Sequence, residues 1–249
     1  MEIYLKTWPE VEKYLKKKRT LIFPVGSSEQ HGPTGIIGID FLTAWEIAKA
    51  VGEREQIMVA SPMPYGMAEH HMAFPGTGSL SPLTYIQVMT ELLQSYIEHG
   101  FERIIVINGH GGNIAPITSA FSQVLGRHGK THLELINWWH LPEVTEYEQK
   151  VFKDENGFHA TCGEISVTMK THPQAYLKPR AYRHFKTASK TAWPLSATQF
   201  RKTFPDGRMG SRASLASARH GEAIFEKAVS AIQKKLRQKL CSLPGESGR

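Results

Sequence analysis

Residues 20–40 have the sequence TLIFPVGSSEQHGPTGIIGID, which indicates a buried strand, a loop and the start of a helix. The apolar run 20–26 is typical of a strand covered on both faces, as in a parallel sheet. Asp40 lies at or near the amino terminus of the helix, because apolar residues recur at helical spacing after it. Glu29 and His31 occupy the loop two residues apart, so both side chains face one side of an extended segment. Three side chains that bind divalent metals therefore follow one predicted strand.

A second strand and loop, FERIIVINGHGGN (101–113), repeat this arrangement with His110 just after the strand. Glycines on both sides of His110 give the loop the backbone freedom to approach a metal closely. Ligands converge beyond the carboxyl ends of strands in open α/β sheets, so we expect His110 to meet the three metal-competent residues of the first loop. Each run alone has a simpler explanation, since Glu-x-His is common by chance and glycine beside histidine also occurs in tight turns. Together, at adjacent strand ends, they favour a metal site.

The rest of the chain alternates short apolar runs with amphipathic segments. Further strands are predicted within 57–66 and at 133–139, and helices at 82–99 and 114–129. This alternation predicts an α/β fold: a single-domain three-layer α/β/α arrangement with a mostly parallel sheet. Pro24 lacks a backbone N–H, so it favours a sheet edge or a bulge for the first strand.

The carboxyl-terminal part has a weaker pattern. A helix is predicted over 163–171, followed by a long, basic, irregular stretch up to Ser211 and a last amphipathic helix from Gly221 onwards. We expect one domain over residues 1–235 and a flexible tail over 236–249.

Composition limits the classes of protein to which this chain could belong. Of 249 residues, 41% are hydrophobic and 21% are charged, which is ordinary for a globular protein. No apolar stretch approaches the roughly 18 residues of a membrane span, and the amino terminus lacks the pattern of a secretory signal. We therefore expect a cytoplasmic protein with no membrane partner. Cys162 and Cys241 are too few for a disulfide framework and are expected to be reduced thiols.

The formal net charge of +7 raises the question of a nucleic-acid partner. The positive residues are dispersed, and no helix-turn-helix, zinc-finger or RNA-recognition pattern accompanies them. Scattered solvated charge is the simpler interpretation, so we expect no nucleic-acid partner. A basic rim that attracts an anionic small substrate is the alternative, with Arg180, Arg183 and Lys186 as its candidates.

Four segments, in order, resemble the motifs of one known family. VGSSEQHGPTGIIGID resembles the Gly-Ser-x-Glu-Gln-His-Gly-Pro and Gly-x-Asp signature of the creatininase (creatinine amidohydrolase) family. YGMAEHHMAFPGTGSL is similar to its second motif, INGHGGN to its third, and FHATCGEIS to its His-Ala-x-x-x-Glu motif. The order and spacing agree over about residues 1–235, so the resemblance implies a creatininase-like fold.

The resemblance also implies a centre of two divalent metal ions, zinc and/or manganese, with iron as a further option. Asp40 would bridge the ions, Glu29 and His110 would hold one of them, and His31 the other. Creatininase takes its fifth ligand from a glutamate at the position of Gly112, which has no side chain. Family members with the Gly-His-Gly-Gly-Asn version use the glutamate of the later motif, so Glu164 is the expected fifth metal ligand, with a general-base role as its alternative.

Further residues acquire roles from the same resemblance. His159 matches the catalytic histidine, suited to polarise a carbonyl or to protonate a leaving nitrogen, and a structural loop histidine is the alternative. His71 matches the histidine of the second motif and is expected at the substrate or behind a ligand, whereas His70 occupies a more variable position. Trp138 and Trp139 are candidates to cover the substrate, although burial at a strand end is the more frequent use of such residues.

The expected function is that of a metal-dependent amidohydrolase that cleaves a non-peptide C–N bond of a small cyclic amide or formamide with metal-activated water. Gly112 argues against creatinine itself, and a formylamino-pyrimidine-type deformylase is the alternative within the class. The loop residues 34–37, Thr161 and Ile165 also depart from the family pattern, which leaves the substrate open. A non-catalytic metal-binding family member is a further alternative. The family resemblance suggests a homo-oligomer, often a hexamer.

Overall fold

The computed structural model describes residues 1–177 and 193–240, with side chains up to residue 238. Within these residues four parallel strands form one sheet in the order β2-β1-β3-β4. The strands are β1 Thr20–Val25, β2 Met58–Val59, β3 Arg103–Asn108 and β4 His132–Asn137. The mixed α/β class and the parallel sheet predicted from the sequence are confirmed.

Helices alternate with these strands along the chain. They are α1 Trp8–Leu15, α2 Ile39–Glu55, α3 Pro82–Glu98, α4 Ile114–Arg127, α5 Pro142–Val151, α6 Cys162–Thr171, α7 Ala197–Thr203 and α8 Ala218–Leu240. Among the described residues, no helix is both long enough and apolar enough to cross a bilayer.

Apolar side chains from the two faces of the sheet enter two separate clusters. Ile22 and Ile105 point into a cluster with buried residues of α2, α5, α6 and α8. Phe23 and Val106 point to the opposite face, where α3 and α4 cover them. This is the alternation expected of successive residues along a strand, and it produces the three layers.

The strands end level with one another, which determines where the site forms. Val25, the last residue of β1, pairs with Asn108, the last residue of β3, and Asn108 pairs in turn with Asn137, the last residue of β4. The loops that follow all three strands therefore leave the sheet at the same edge.

Two local expectations, an edge strand at Pro24 and a wholly irregular stretch up to Ser211, were wrong. Pro24 lies in a strand that pairs on both sides, and its carbonyl accepts a hydrogen bond from Met63 N at 3.0 Å beyond the end of β2. Strand β2 ends before it reaches Pro24, so the missing N–H of the proline removes no hydrogen bond between β1 and β2. The stretch up to Ser211 is not wholly irregular, because α7 lies within it. Ser196 and Gln199 close a capping box at the start of α7, a signal present in the sequence.

Several predictions concern the chain's end and its basic segment. Helix α8 continues to Leu240, beyond the predicted boundary at residue 235. Cys162 is a buried free thiol, and burial raises its pKa to about 12. Cys241 and the basic residues proposed to attract an anionic substrate lie outside the described residues: Arg180, Arg183 and Lys186.

Candidate metal centre

The five predicted metal ligands come from four separate places in the fold and meet beyond the carboxyl edge of the sheet. Glu29 and His31 lie in the loop after β1, Asp40 in the first turn of α2, His110 directly after β3, and Glu164 in the first turn of α6. The first four are almost fully buried, and the side chain of Glu164 is 16% exposed.

The first turn of α2 reaches the strand ends because glycines leave room for it. A Cβ atom on Gly109 would lie 2.0 Å from the carbonyl oxygen of Asp40, and one on Gly26 would lie 2.3 Å from the backbone nitrogen of Phe41. Only glycine tolerates backbone approach as close as this. Gly109 thus allows the backbone of Asp40 to lie against it, whereas the sequence suggested that it gives the loop conformational freedom.

Asn113, the last residue of INGHGGN, holds neighbouring loops in register. Its Oδ1 accepts a hydrogen bond from Met67 N at 3.0 Å, and its Nδ2 donates to the carbonyl of Gly26 at 2.9 Å. The loop after β1, the loop after β3 and the segment before His71 are therefore fixed to one another.

Glu29, Asp40 and His110 form the first group of candidate ligands, with one oxygen or nitrogen from each lying within 4.8 Å of the others. His110 Nδ1 is 3.2 Å from Glu29 Oε2 and 3.1 Å from Asp40 Oδ2. His110 Nε2 lies 3.0 Å from the carbonyl of Met67, which can only accept, so the ring proton belongs on Nε2. The Nδ1 lone pair then faces the two carboxylates.

His31, Asp40 and Glu164 form the second group under the same 4.8 Å limit. His31 Nε2 is 3.0 Å from Asp40 Oδ1 and 3.8 Å from Glu164 Oε1. His31 Nδ1 lies 3.1 Å from the carbonyl of Glu29, which fixes that nitrogen as the donor and leaves Nε2 facing the carboxylates. The two groups share Asp40, which presents one oxygen to each.

The chemistry of these atoms fits bound cations. Both carboxylate oxygens of Glu29, Nε2 of His31 and Oδ2 of Asp40 are buried and have no hydrogen-bond partner of acceptable geometry among the described residues. Buried polar groups are normally satisfied, and carboxylate oxygen and imidazole nitrogen are ligands that zinc and manganese accept.

The charges in the centre are strongly coupled. Burial alone would raise the pKa of Glu29, but the imidazoles of His110 and His71 outweigh it and hold that pKa well below its usual value. Burial lowers the pKa of His31, yet Asp40 and Glu164 raise it to about 10. Burial raises the pKa of Glu164 to about 7, with His31 opposing the shift. Protons on the histidines thus neutralise the carboxylates when no cation does.

His159 lies beside the ligands on the loop before α6. Its ring packs on His71 at 4.3 Å between centroids and on His31 at 4.7 Å, and its Nδ1 is 3.7 Å from Glu29 Oε1. Burial and the neighbouring imidazoles of His71 and His31 hold its pKa well below the usual value. One donor atom each from Glu29, His31 and His159 likewise lies within 4.8 Å of the other two, so these residues form a third group of candidate ligands.

The second motif forms the wall behind Glu29. His71 Nε2 is 3.2 Å from Glu29 Oε1, the position of a residue that orients a ligand. His70 contacts His71 and makes an edge-to-face contact with Trp193 at 4.7 Å between centroids. Burial, then the neighbouring imidazole of His71, lowers the pKa of His70 to about 3.

The two tryptophans differ from the ligand residues in their surroundings. Trp138 is 1% exposed and belongs to the apolar cluster between the sheet and α2, α5, α6 and α8. Trp139 is half-buried, packs against that cluster and contacts Trp138 and His140. The structure therefore gives Trp138 the burial at a strand end that was the alternative to substrate contact.

Gly112 is closely surrounded. A Cβ atom there would lie 2.3 Å from the carbonyl of Met67 and 2.5 Å from Nε2 of His110. With this backbone the loop has no room for a carboxylate side chain.

Sequence reasoning missed three residues next to the centre. Gln30 contacts both His71 and His159, Glu148 lies against the start of α6, and Trp193 contacts His70. Gln30 stands between two predicted ligands, which was an available signal. Glu148 and Trp193 are brought in by the fold from segments with no motif.

Comparison with known proteins gives the same family as the motifs. A family model described as creatininase, creatinine amidohydrolase, matches residues 5–236. A creatinine amidohydrolase of Pseudomonas putida is 24% identical over 249 residues, covering 93% of this chain and 94% of that protein. A 3-dehydro-scyllo-inosose hydrolase of Thermotoga maritima is 32% identical over 106 residues, which cover 42% of this chain but only 34% of the relative's length.

Solved structures agree with this assignment over most of the chain. A mutant creatininase of Zn-Zn type has a TM-score of 0.83 at 25% identity, covering 96% of this chain and 97% of that one. A manganese form of creatininase has a TM-score of 0.82 at 24% identity, covering 96% and 98% of the two chains. Since the family model spans residues 5–236 and the structural match covers 96% of the chain, the protein belongs to the creatininase family.

Proposed function

We propose that this protein is a metal-dependent amidohydrolase that hydrolyses a non-peptide C–N bond of a small cyclic amide or formamide. The observation that carries the proposal is the pair of ligand groups that share Asp40, Glu29 with His110 on one side and His31 with Glu164 on the other. A bridging carboxylate between two histidine-carboxylate sets is the donor arrangement of a two-metal hydrolytic centre.

The proposed cofactors are two divalent ions, zinc and/or manganese, with iron as a further option. Glu29, Asp40 and His110 would hold one ion, and His31, Asp40 and Glu164 the other. When bound, such ions supply Lewis acidity that polarises a carbonyl and activates water at neutral pH. Zn-Zn and manganese forms exist among the creatininases of similar fold, which supports this choice of metals.

His159 is the proposed catalytic residue for proton transfer. It is neutral because burial lowers its pKa, and its Nδ1 faces Glu29 at the edge of the ligand set. A neutral imidazole in this position accepts a proton from water or holds it for the leaving nitrogen. Glu164, whose pKa is raised to about 7, is the second candidate to carry a proton if it does not bind metal.

The remaining residues bind the substrate or orient the carboxylate of Glu29. His71 contacts Glu29 and limits the ways in which that carboxylate can turn. His70 and Trp193 form an aromatic surface next to His71, on which a planar amide or ring can rest. We propose Trp139, which is partly exposed, as the tryptophan that remains available to a substrate.

The surroundings of Gly112 indicate which substrate within this class we propose. Its crowded surroundings leave no room for the glutamate that creatininase carries, so a formamide, as in formylamino-pyrimidine-type deformylases, is favoured over creatinine. A non-catalytic family member is the other candidate, but every proposed ligand and His159 are present. We further propose a cytoplasmic protein with no nucleic-acid partner, as its sequence pattern and dispersed charge indicate. The family resemblance suggests a homo-oligomer, often a hexamer.

The decisive experiment is metal removal followed by selective restoration. Protein stripped with a chelator is expected to lose hydrolase activity on a panel of formamides and lactams and to recover it with zinc, manganese or iron. Formate release and creatinine ring opening, measured in parallel, separate the two substrate classes. Asp40→Asn is expected to be inactive at every metal concentration, whereas Asp154→Asn, at an exposed position, serves as the matched control. Unchanged activity in the stripped wild-type protein would overturn the proposal.

A further inference from the structure

Gln30, between the proposed ligands Glu29 and His31, has a side chain whose orientation is fixed by two backbone groups. Its Oε1 accepts a hydrogen bond from Gly32 N at 2.9 Å, and its Nε2 donates to the carbonyl of Gly207 at 3.0 Å. A backbone N–H only donates and a carbonyl only accepts, so the amide cannot be turned around. One hydrogen of Nε2 remains for another acceptor.

Two imidazole nitrogens lie within reach of that hydrogen. His71 Nδ1 is 2.9 Å from Gln30 Nε2, and His159 Nε2 is 3.0 Å from it. His159 Nε2 also lies 2.8 Å from the backbone carbonyl of Gln30, which can only accept. The nitrogen of His159 must therefore carry a proton and donate to that carbonyl, which leaves His71 Nδ1 as the acceptor of the amide.

Both ring tautomers follow from this assignment. His71 carries its proton on Nε2, which faces Glu29 Oε1 at 3.2 Å. His159 also carries its proton on Nε2, so its unprotonated Nδ1 faces Glu29 Oε1 at 3.7 Å. A lone pair of Glu29 and the Nδ1 lone pair of His159 thus point into the same space. A cation, or the proton of a reacting group, would be held there.

We propose that Gln30 is a positioning residue: its side-chain amide and its backbone carbonyl set the tautomers of His71 and His159 and direct the Nδ1 lone pair of His159 into the metal centre. It acts through the two histidines and touches neither substrate nor metal. The catalytic consequence rests on the proposed function, whereas the tautomers do not.

Gly207 provides the space that the side chain of Gln30 occupies. It has a positive φ of 87°, and a Cβ atom there would lie 1.9 Å from Gln30 Oε1. The space that the amide occupies therefore depends on glycine at this position. A purely structural role for Gln30, as a tie between two loops, would need only the bonds to Gly32 and Gly207 and would leave the histidines free to choose their tautomers.

The test compares Gln30→Glu with wild type in zinc-loaded protein, read by 15N chemical shifts of the histidine rings. Glutamate has the same shape but no hydrogen to donate, so His71 is expected to move its proton to Nδ1 or to become doubly protonated. His159 is expected to keep its proton on Nε2 in both proteins, because the backbone carbonyl is unchanged. Spectra of His71→Asn and His159→Asn assign the two rings.

Function gives a second readout. On any substrate that the wild type hydrolyses, kcat of Gln30→Glu is expected to fall about 10–100-fold, the scale of a lost ligand-orienting contact, because His71 no longer directs its Nε2 proton at Glu29; zinc content and KM are expected to stay unchanged. Gln149→Glu makes the same chemical change at an exposed position of α5 and is expected to match wild type. A loss of activity that only follows lost zinc would contradict a positioning role.

The wild-type spectrum is by itself a sufficient test should the variant not fold. A proton on Nδ1 of His71 or of His159 in the wild-type protein would overturn the inference, as would an unchanged His71 signal in folded Gln30→Glu. If the tautomers are as stated and no C–N hydrolysis is found, the inference about Gln30 stands and the proposed function fails.

Discussion

Asp40 presents its two carboxylate oxygens to different histidines: Oδ1 lies 3.0 Å from His31 Nε2, and Oδ2 lies 3.1 Å from His110 Nδ1. Neither histidine is free to turn away, because the other nitrogen of each ring contacts a backbone carbonyl. One nitrogen of each imidazole is therefore already engaged by the backbone. The other nitrogen keeps a lone pair that can bind a cation.

Glu148 is a buried carboxylate whose protonation should be visible in the stability of the protein. It lies on α5, accepts a hydrogen bond from Asn156 Nδ2 at 3.1 Å, and has its pKa raised to about 8 by burial and by the charge of Glu164. The folded state thus binds the proton more tightly than the unfolded chain, whose carboxyl titrates near 4.5. Its stabilising effect is complete below that pH and is lost as the pH rises through about 8.

Glu148→Gln should remove this pH dependence, because the amide stays neutral and its oxygen still accepts from Asn156. Urea unfolding of chelator-treated protein at pH 5 to 9 should show wild type losing stability relative to the variant by up to about 1.4 kcal/mol per pH unit. Glu146→Gln, on the exposed side of the same helix, is the control and should follow wild type. Parallel curves for Glu148→Gln and wild type would contradict the assignment.

At the scale of elements, the sequence predicts what is encoded locally. The strands, the helices after β1 and β3, and the ligand loops all have clear periodicity or motifs, and Glu29, His31, Asp40 and His110 could be placed at one sheet edge from these alone. The contact of Glu148 with Gly163 and of Trp193 with His70 depends on tertiary packing between distant segments, which no local pattern records.

Helix α2 owes its place to glycines at the strand ends, and this predicts the effect of a single methyl group. In Gly109→Ala the new Cβ would meet the carbonyl of Asp40 at 2.0 Å, so the first turn of α2 must move and carry the Asp40 carboxylate with it. We expect a loss of about 1–3 kcal/mol in unfolding free energy and at least a tenfold weaker zinc affinity, measured by urea titration and competition with a chelating dye.

The matched control for this change is Gly126→Ala. Gly126 lies in α4, where a Cβ atom would meet no neighbouring group within 4 Å, so alanine should be neutral or stabilise the protein by about 0.5–1 kcal/mol. Wild-type zinc affinity in Gly109→Ala would show that α2 does not position the centre.

For the whole molecule, the centre joins both halves of the chain. Its ligands come from the loops after β1 and β3 and from the starts of α2 and α6, so a bound cation would connect segments as distant as Glu29 and Glu164. Without a cation, protons on His31 and His110 partly compensate the carboxylates, because those carboxylates outweigh burial and raise the pKa of both histidines. Metal binding should therefore stabilise the entire fold and release protons.

This linkage predicts a chelator-dependent melting temperature. At a free zinc concentration of about 100 times Kd, one site stabilises the folded state by about 2.7 kcal/mol. For a domain of this size each kcal/mol shifts Tm by about 2–4 °C, so stripping the metal should lower Tm by roughly 5–10 °C in differential scanning calorimetry. Asp40→Asn lacks the shared ligand and should melt at the same temperature with zinc or with chelator. An equal shift in that variant would mean that zinc binds without Asp40, either elsewhere or through Glu29, His31 and His159, the ligand group that does not include it.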